Sequence, residues 1–306
     1  MNDLLRVADL DATELVELLE SAIATKRDPA SIRGMADGRS VAVLFEKPSL
    51  RTRFSVEAAL ARLGAHPIGA YDREVGLGSR ESVEDAGRVL ERYVDAIVIR
   101  TFEHERVEKL ATAANVPVIN ALSDAHHPMQ ALADLQTVAE ECCAGDVRAL
   151  KSVRIAFVGD GNNVAHSLIE ACALTGTAVT IAGPPGHAPD DGIVEWARTR
   201  GGEVAVTADP VEAVTEADVV YTDVWASMGQ EAEADARKEL FAPYRVGAEL
   251  MSHAAKDAIF LHCLPAHRGE EVEADVIDGR ASRVFDQAEN RLHTTVAVFL
   301  KIFGGH

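Results

Sequence analysis

Strand and helix patterns alternate along nearly all of this 306-residue chain, predicting an α/β protein. The expected architecture is two doubly wound parallel-sheet lobes with the active site in the cleft between them. Three observations predict it. Short apolar runs recur between helical patterns, Gly and Pro-Gly breaks punctuate them, and the alternation pauses near 144–151 before restarting. The length also suits two domains, because single cores stop growing near ~250 residues. The expected bounds are 1–143 and 144–288, with a closing helix at 289–306 that packs back on the first domain.

Taken in order, Ser40–Phe45 (SVAVLF) reads as a buried strand, and Arg51–Leu63 as a helix stopped by Gly64. Asp95–Ile99 is a second strand, followed by a helical stretch near 103–114 and a third strand at Val116–Asn120. Pro128 suits the first turn of a helix that runs to about Cys143 with apolar positions three and four apart. The second half gives a strand at Val153–Val158, a helix to Thr175 with Gly176 as its cap, and a strand at Ala178–Ala182. A helix near 192–200 and strands at 203–207, 218–222 and 258–262 follow, then a last helix over about 287–302.

Composition excludes several classes. Asp and Glu number 49 against 30 Lys and Arg, a net charge of −19. Such a chain is poorly suited to neutralise nucleic-acid phosphates or to dock on anionic lipid. No apolar run reaches the ~18 residues of a spanning helix, and the first residues, MNDLLR, lack the pattern of a signal peptide. Cys142, Cys143, Cys172 and Cys263 form no CxxC pair or disulfide framework, as expected of a cytoplasmic protein. Only seven of the basic residues are Lys, at 26, 47, 109, 151, 238, 256 and 301. High acidity with scarce Lys resembles proteins of salt-loving organisms. There the Debye length is only about 3 Å at 1 M salt and self-repulsion is muted.

Ligands of open α/β sheets bind beyond the carboxyl ends of the strands. Beyond Phe45 lie Glu46-Lys47-Pro48-Ser49-Leu50-Arg51-Thr52-Arg53; beyond Ile99, Arg100-Thr101; beyond Asn120, Ser123 through Gln130. In the second half, Val158 leads into Gly159-Asp160-Gly161-Asn162-Asn163, Thr222 into Asp223-Val224-Trp225-Ala226-Ser227-Met228, and His262 into Cys263-Leu264-Pro265. The first set looks built for an anion, with hydroxyls and arginines where a helix begins. Taken singly, these residues could equally be a helix cap with solvated arginines, a core histidine at His127 and a surface amide at Gln130. The second set could hold an amino acid: Asp223 can pair an ammonium, and Asn163 and Ser227 can meet a carboxylate. The bland reading makes Asn163 an N-cap, the 223–228 segment a turn and Cys263 a small buried hydrophobe.

The turn after Val158 invites comparison with a dinucleotide-binding loop and an NAD-dependent dehydrogenase. The third glycine of G-x-G-x-x-G would fall at Val164, however, and the next strand ends in Gly183 rather than an acid for a ribose hydroxyl.

Seven segments together resemble the aspartate/ornithine carbamoyltransferase superfamily across nearly the whole chain. They are FEKPSLRTR (45–53), RT (100–101), HPMQ (127–130), GDGNN (159–163), DVWASMG (223–229), HCLPAHRG (262–269) and FDQAENR (285–291). The D-x-x-x-S-M and H-C-L-P segments point to the ornithine branch rather than to aspartate or another amine such as putrescine. By matching position, the resemblance implies a carbamoyl phosphate site of Ser49, Leu50, Arg51, Thr52, Arg100, His127, Gln130, Cys263, Leu264 and Arg291. Arg100, His127 and Cys263 would lie at the reacting group, with Cys263 as a positioner, and Asn163, Asp223, Ser227 and Met228 would meet ornithine. It implies no metal or other cofactor, and a homotrimer or an assembly of trimers. Leu50 stands where Thr is usual, so contact there would come from its backbone. Gly76 stands where many relatives carry a Gln that reaches a neighbouring subunit. Because the first substrate is an anion and the chain is acidic, binding must rest on a local cluster, expected as Arg51, Arg53, Arg100 and Arg291.

Overall fold

A computed structural model describes residues 2–71, 74–226 and 234–304. The chain forms two compact units, Met1–Ala133 with Glu289–His306 and Asp134–Ala288. In chain order the first unit carries α1 (Ala12–Arg27), β1 (Ser40–Phe45), α2 (Leu50–Leu63), β2 (His66–Tyr71) and α3 (Val83–Leu90). It continues with β3 (Ala96–Arg100), α4 (His104–Ala113), β4 (Val118–Leu122) and the start of α5 (Pro128–Cys142). Its four strands are all parallel in the order β2-β1-β3-β4. β1 and β3 are buried nearly end to end, as strands covered on both faces must be.

Several elements differ from expectation. β2 was not foreseen: its sequence, HPIGAY, carries Pro67 and Gly69 and stays largely exposed, properties tolerated on an edge strand. The capped helix α1 and the short α3 also lie outside the predicted alternation. β3 ends one residue later than expected, placing Arg100 within the strand, and β4 runs to Leu122. Gly64 caps α2 with φ of 84°, a conformation that only glycine adopts without strain.

In the second unit, β5 (Arg154–Val158), α6 (Asn163–Thr175), β6 (Ala178–Ala182), α7 (Asp191–Thr199), β7 (Val204–Thr207), α8 (Pro210–Val214) and β8 (Val219–Thr222) come first. Then follow α9 (Ala234–Phe241), α10 (Ala248–Met251), β9 (Ile259–His262), α11 (Ala274–Ile277) and α12 (Val284–Phe303), whose end belongs to the first unit. The five strands are parallel, ordered β7-β6-β5-β8-β9. Val158, Val220, Phe260 and Val246 anchor one face of its core. Among the described residues, no helix is long and apolar enough to cross a membrane.

Strand order fixes where each unit can bind a ligand. Connections leave the sheet in opposite directions at a switch point, which opens a crevice at the strand ends. In the first unit the switch lies between β1 and β3, whose ends carry Glu46–Arg53 and Arg100. In the second it lies between β5 and β8, whose ends carry Gly159–Asn163 and Asp223, with β9 and Cys263 next to β8.

Candidate active site

The first unit gathers an anion cradle. α2 starts at Leu50, and Ser49 is its N-cap in extended backbone with no capping bond from its side chain. The opening N–H groups of such a helix lack intrahelical acceptors and sit at the positive end of its dipole. Thr52, Arg100, His127, Gln130 and Arg291 are all buried beside one another. Arg291 orients its fork by donating from Nη1 to Gln130 Oε1 at 2.9 Å and from Nη2 to Thr52 Oγ1 at 2.8 Å. Burial, and then the guanidiniums of Arg291, Arg100 and Arg51, hold His127 well below the usual imidazole range, so its ring is neutral. The nearby carboxylate of Glu46 is matched by Arg106 at 3.0 Å and by the Thr101 hydroxyl.

Leu50 is expected to contribute its backbone only, and Arg53 stands apart from the expected arginine cluster. The Leu50 side chain is 71% exposed. Arg53 pairs with Glu57 at 2.8 Å and lies over the Tyr71 ring at 4.1 Å. Arg53 lies two residues, about 200° around α2, from Arg51, which turns it toward an acidic partner at i+4.

In the second unit, the Cys263 thiol donates to Asp223 Oδ1 at 2.8 Å, and the Asn162 amide donates to Asp223 Oδ2 at 2.8 Å. Asn162, not Asn163, is the N-cap of α6, accepting from Val164 N at 2.9 Å and Ala165 N at 3.3 Å. Asn163 occupies the first helical position. Asp160 binds Arg237, whose Nε in turn donates to the Trp225 carbonyl and so ties α9 to the segment after β8. Ser227 and Met228 lie outside the described residues.

The chain is similar to known proteins over its full length. Residues 2–140 match the family description "Aspartate/ornithine carbamoyltransferase, carbamoyl-P binding domain", and residues 151–302 match its "Asp/Orn binding domain". The chain belongs to this carbamoyltransferase family. An ornithine carbamoyltransferase of a Parafrankia species is 52% identical, covering 95% of this chain and 92% of the relative. That of Bacillus subtilis is 50% identical, covering 98% and 93% respectively. Among solved structures, ornithine carbamoyltransferase from Pyrococcus furiosus superposes with a TM-score of 0.94 at 47% identity, covering 100% of this chain and 98% of that one.

Within the carbamoyltransferase fold, the glycine turn after β5 is closely packed. Gly161 N donates to His187 O at 2.9 Å, and a Cβ on Gly161 would sit 2.2 Å from Pro189 N. The backbone of 187–189 thus packs directly against the turn, and the dehydrogenase alternative is not favoured by the family match. Among the described residues, two trios have ligand atoms near enough to share a metal: Asp223, His262 and Cys263, and His267, Glu270 and Glu271. His262 Nδ1 already accepts from Leu264 N at 2.8 Å, and Nε2 faces Glu271 at 3.2 Å, so the ring has no nitrogen left for an ion.

Sequence reading passed over Asn162, Arg237 and Glu271. Asn162 carried a usable signal, an Asn directly before the apolar stretch of a helix. Arg237 and Glu271 carried none, because each sits in a run of charges that reads as a solvated face.

Proposed function

We propose that this chain transfers the carbamoyl group of carbamoyl phosphate to the δ-amine of L-ornithine, giving citrulline and phosphate. The observation that carries the reading is the neutral, buried His127 facing Arg51, Arg100 and Arg291 at the start of α2. That set suits an acyl phosphate whose carbonyl oxygen must be polarised without a proton being given up. The names of the relatives support ornithine as the acceptor.

In the proposed reaction, the amine lone pair attacks the carbamoyl carbon, a C–N bond forms, and the tetrahedral oxyanion collapses. The C–O bond to phosphate breaks, phosphate leaves with that electron pair, and it takes up the proton that the attacking nitrogen sheds. Ser49, Thr52, the backbone N–H groups at Leu50 and Arg51, and the Arg51 and Arg291 guanidiniums hold the phosphate. Arg100 and an N–H of neutral His127 bind the carbonyl oxygen, with Gln130 orienting Arg291. Preorganised donors of this kind supply most of the stabilisation in such a step. Asp223 pairs the α-ammonium of ornithine, Asn163, Ser227 and Met228 line its binding place, and Cys263 and Leu264 position the reacting end. No acyl-enzyme is required. The amine, protonated like Lys below a pKa of about 10.4, must lose a proton before it attacks.

A cytoplasmic, trimeric enzyme adapted to high salt completes the proposal, its salt adaptation supported by the net charge of −19 and the seven lysines. The test is a citrulline assay of purified protein with carbamoyl phosphate and ornithine in molar salt, with aspartate and putrescine in parallel. Product with ornithine supports the reading; product with aspartate or putrescine but not ornithine overturns it.

A further inference from the structure

β9 ends at His262, and three groups of this buried residue are engaged. Its N–H donates to Gln287 Oε1 at 2.9 Å, and Gln287 Nε2 donates onward to Asp134 Oδ1 at 2.6 Å. Its Nδ1 accepts from Leu264 N at 2.8 Å, which places the proton of a neutral ring on Nε2. Nε2 then donates to Glu271 Oε1, 3.2 Å away, and the same oxygen accepts from His267 N at 2.5 Å.

Glu271 is fully buried, an expensive place for a carboxylate. Burial pushes its pKa up, but the hydrogen bonds from His262 and His267 N more than offset this and leave it below the usual carboxylate range. What this charge secures is a strained turn. Leu264 has φ of 56°, the left-handed region that a Leu rarely adopts. Its N–H is the group held by His262 Nδ1, and the preceding residue is Cys263, whose thiol reaches Asp223.

We propose that Glu271 is a positioning residue of the transfer site: acting through His262, it fixes the Cys263–Leu264 turn and with it the placement of the Cys263 thiol against Asp223. This rests on the reading above that Asp223 pairs ornithine, and it places the Cys263 thiol on the ornithine side of the reacting group through its bond to Asp223. A role in bulk stability alone would lower the melting temperature without separating the two substrates.

The experiment compares Glu271→Ala, Glu271→Gln and wild type in steady-state citrulline formation, with thermal melts of each. One oxygen of Glu271 accepts both bonds, so the glutamine variant keeps both and should hold KM for ornithine within about twofold of wild type. The alanine variant should raise KM for ornithine about tenfold or more, as loss of a charged hydrogen-bond partner does, while KM for carbamoyl phosphate stays within about twofold. Should Glu271→Ala fail to fold, His262→Asn and His262→Leu decide. An asparagine oxygen can accept from the N–H two residues on, as in an Asx turn, and leucine cannot. A lower ornithine KM for the Asn variant than for the Leu variant supports the proposal. A folded Glu271→Ala with wild-type KM for ornithine, or equal KM for the two His262 variants, overturns it. A wild-type chain without citrulline activity would instead remove the functional reading on which it rests.

Discussion

Arg291 Nη2 donates to Thr52 Oγ1 at 2.8 Å, joining two buried side chains 239 positions apart in sequence. The second turn of the C-terminal helix thereby supplies a guanidinium to the first turn of α2, where the phosphate is proposed to bind. Arg291→Ala should raise KM for carbamoyl phosphate at least about tenfold, in line with ~1.5–3 kcal/mol for a charged hydrogen bond. Unchanged KM in a variant whose thermal melt matches wild type would show that Arg291 serves packing only.

His127 is held neutral, so it should contribute no inflection near pH 6.5 to the rate. The rate should rise from pH 6 to 9 as ornithine loses its ammonium proton. A flat profile would count against the scheme.

Stability should follow pH in the opposite limb. Burial first, and in His127 the neighbouring arginines, hold His104, His127 and His293 below their ordinary value of 6.5. The unfolded chain therefore takes up these protons first. Stability is complete above about pH 6.5 and is lost as pH falls from there through the folded-state values. Thermal melts in molar salt at pH 7.5, 6.5 and 5.5 should show a falling Tm; a constant or rising Tm would refute it.

Asp223 and Cys263 should separate by substitution. Asp223→Asn removes the charge proposed to pair the α-ammonium and should raise KM for ornithine about tenfold or more while sparing that for carbamoyl phosphate. Cys263→Ser keeps a donor toward Asp223 Oδ1 and should retain substantial turnover, because no covalent intermediate is invoked. Abolished turnover in folded Cys263→Ser would favour a nucleophilic role instead.

Salt should matter in a particular sense. At −19 the chain repels an anionic substrate at long range, and salt screens that field more than it weakens a clamp of direct contacts. Activity and Tm should both increase between ~0.1 M and molar KCl, where the Debye length shrinks from about 10 to 3 Å. Full activity at the lower concentration would remove the salt-adaptation proposal and leave the enzyme reading intact.

Consecutive residues were enough to place the two α/β units and the strand ends that carry polar groups. Apolar runs, Gly64, Gly176 and Pro128 act through local backbone geometry, and local geometry is written in consecutive residues. Edge strand β2 escaped that reading because its burial, and hence its pattern, depends on a neighbour rather than on its own order. Tertiary structure alone decided the partners. It laid Arg53 over the Tyr71 ring, brought the Asn162 amide to Asp223, and buried Glu271 against His262. Each of these choices depends on distance and direction between side chains that the fold, not the spacing, brings within hydrogen-bond reach.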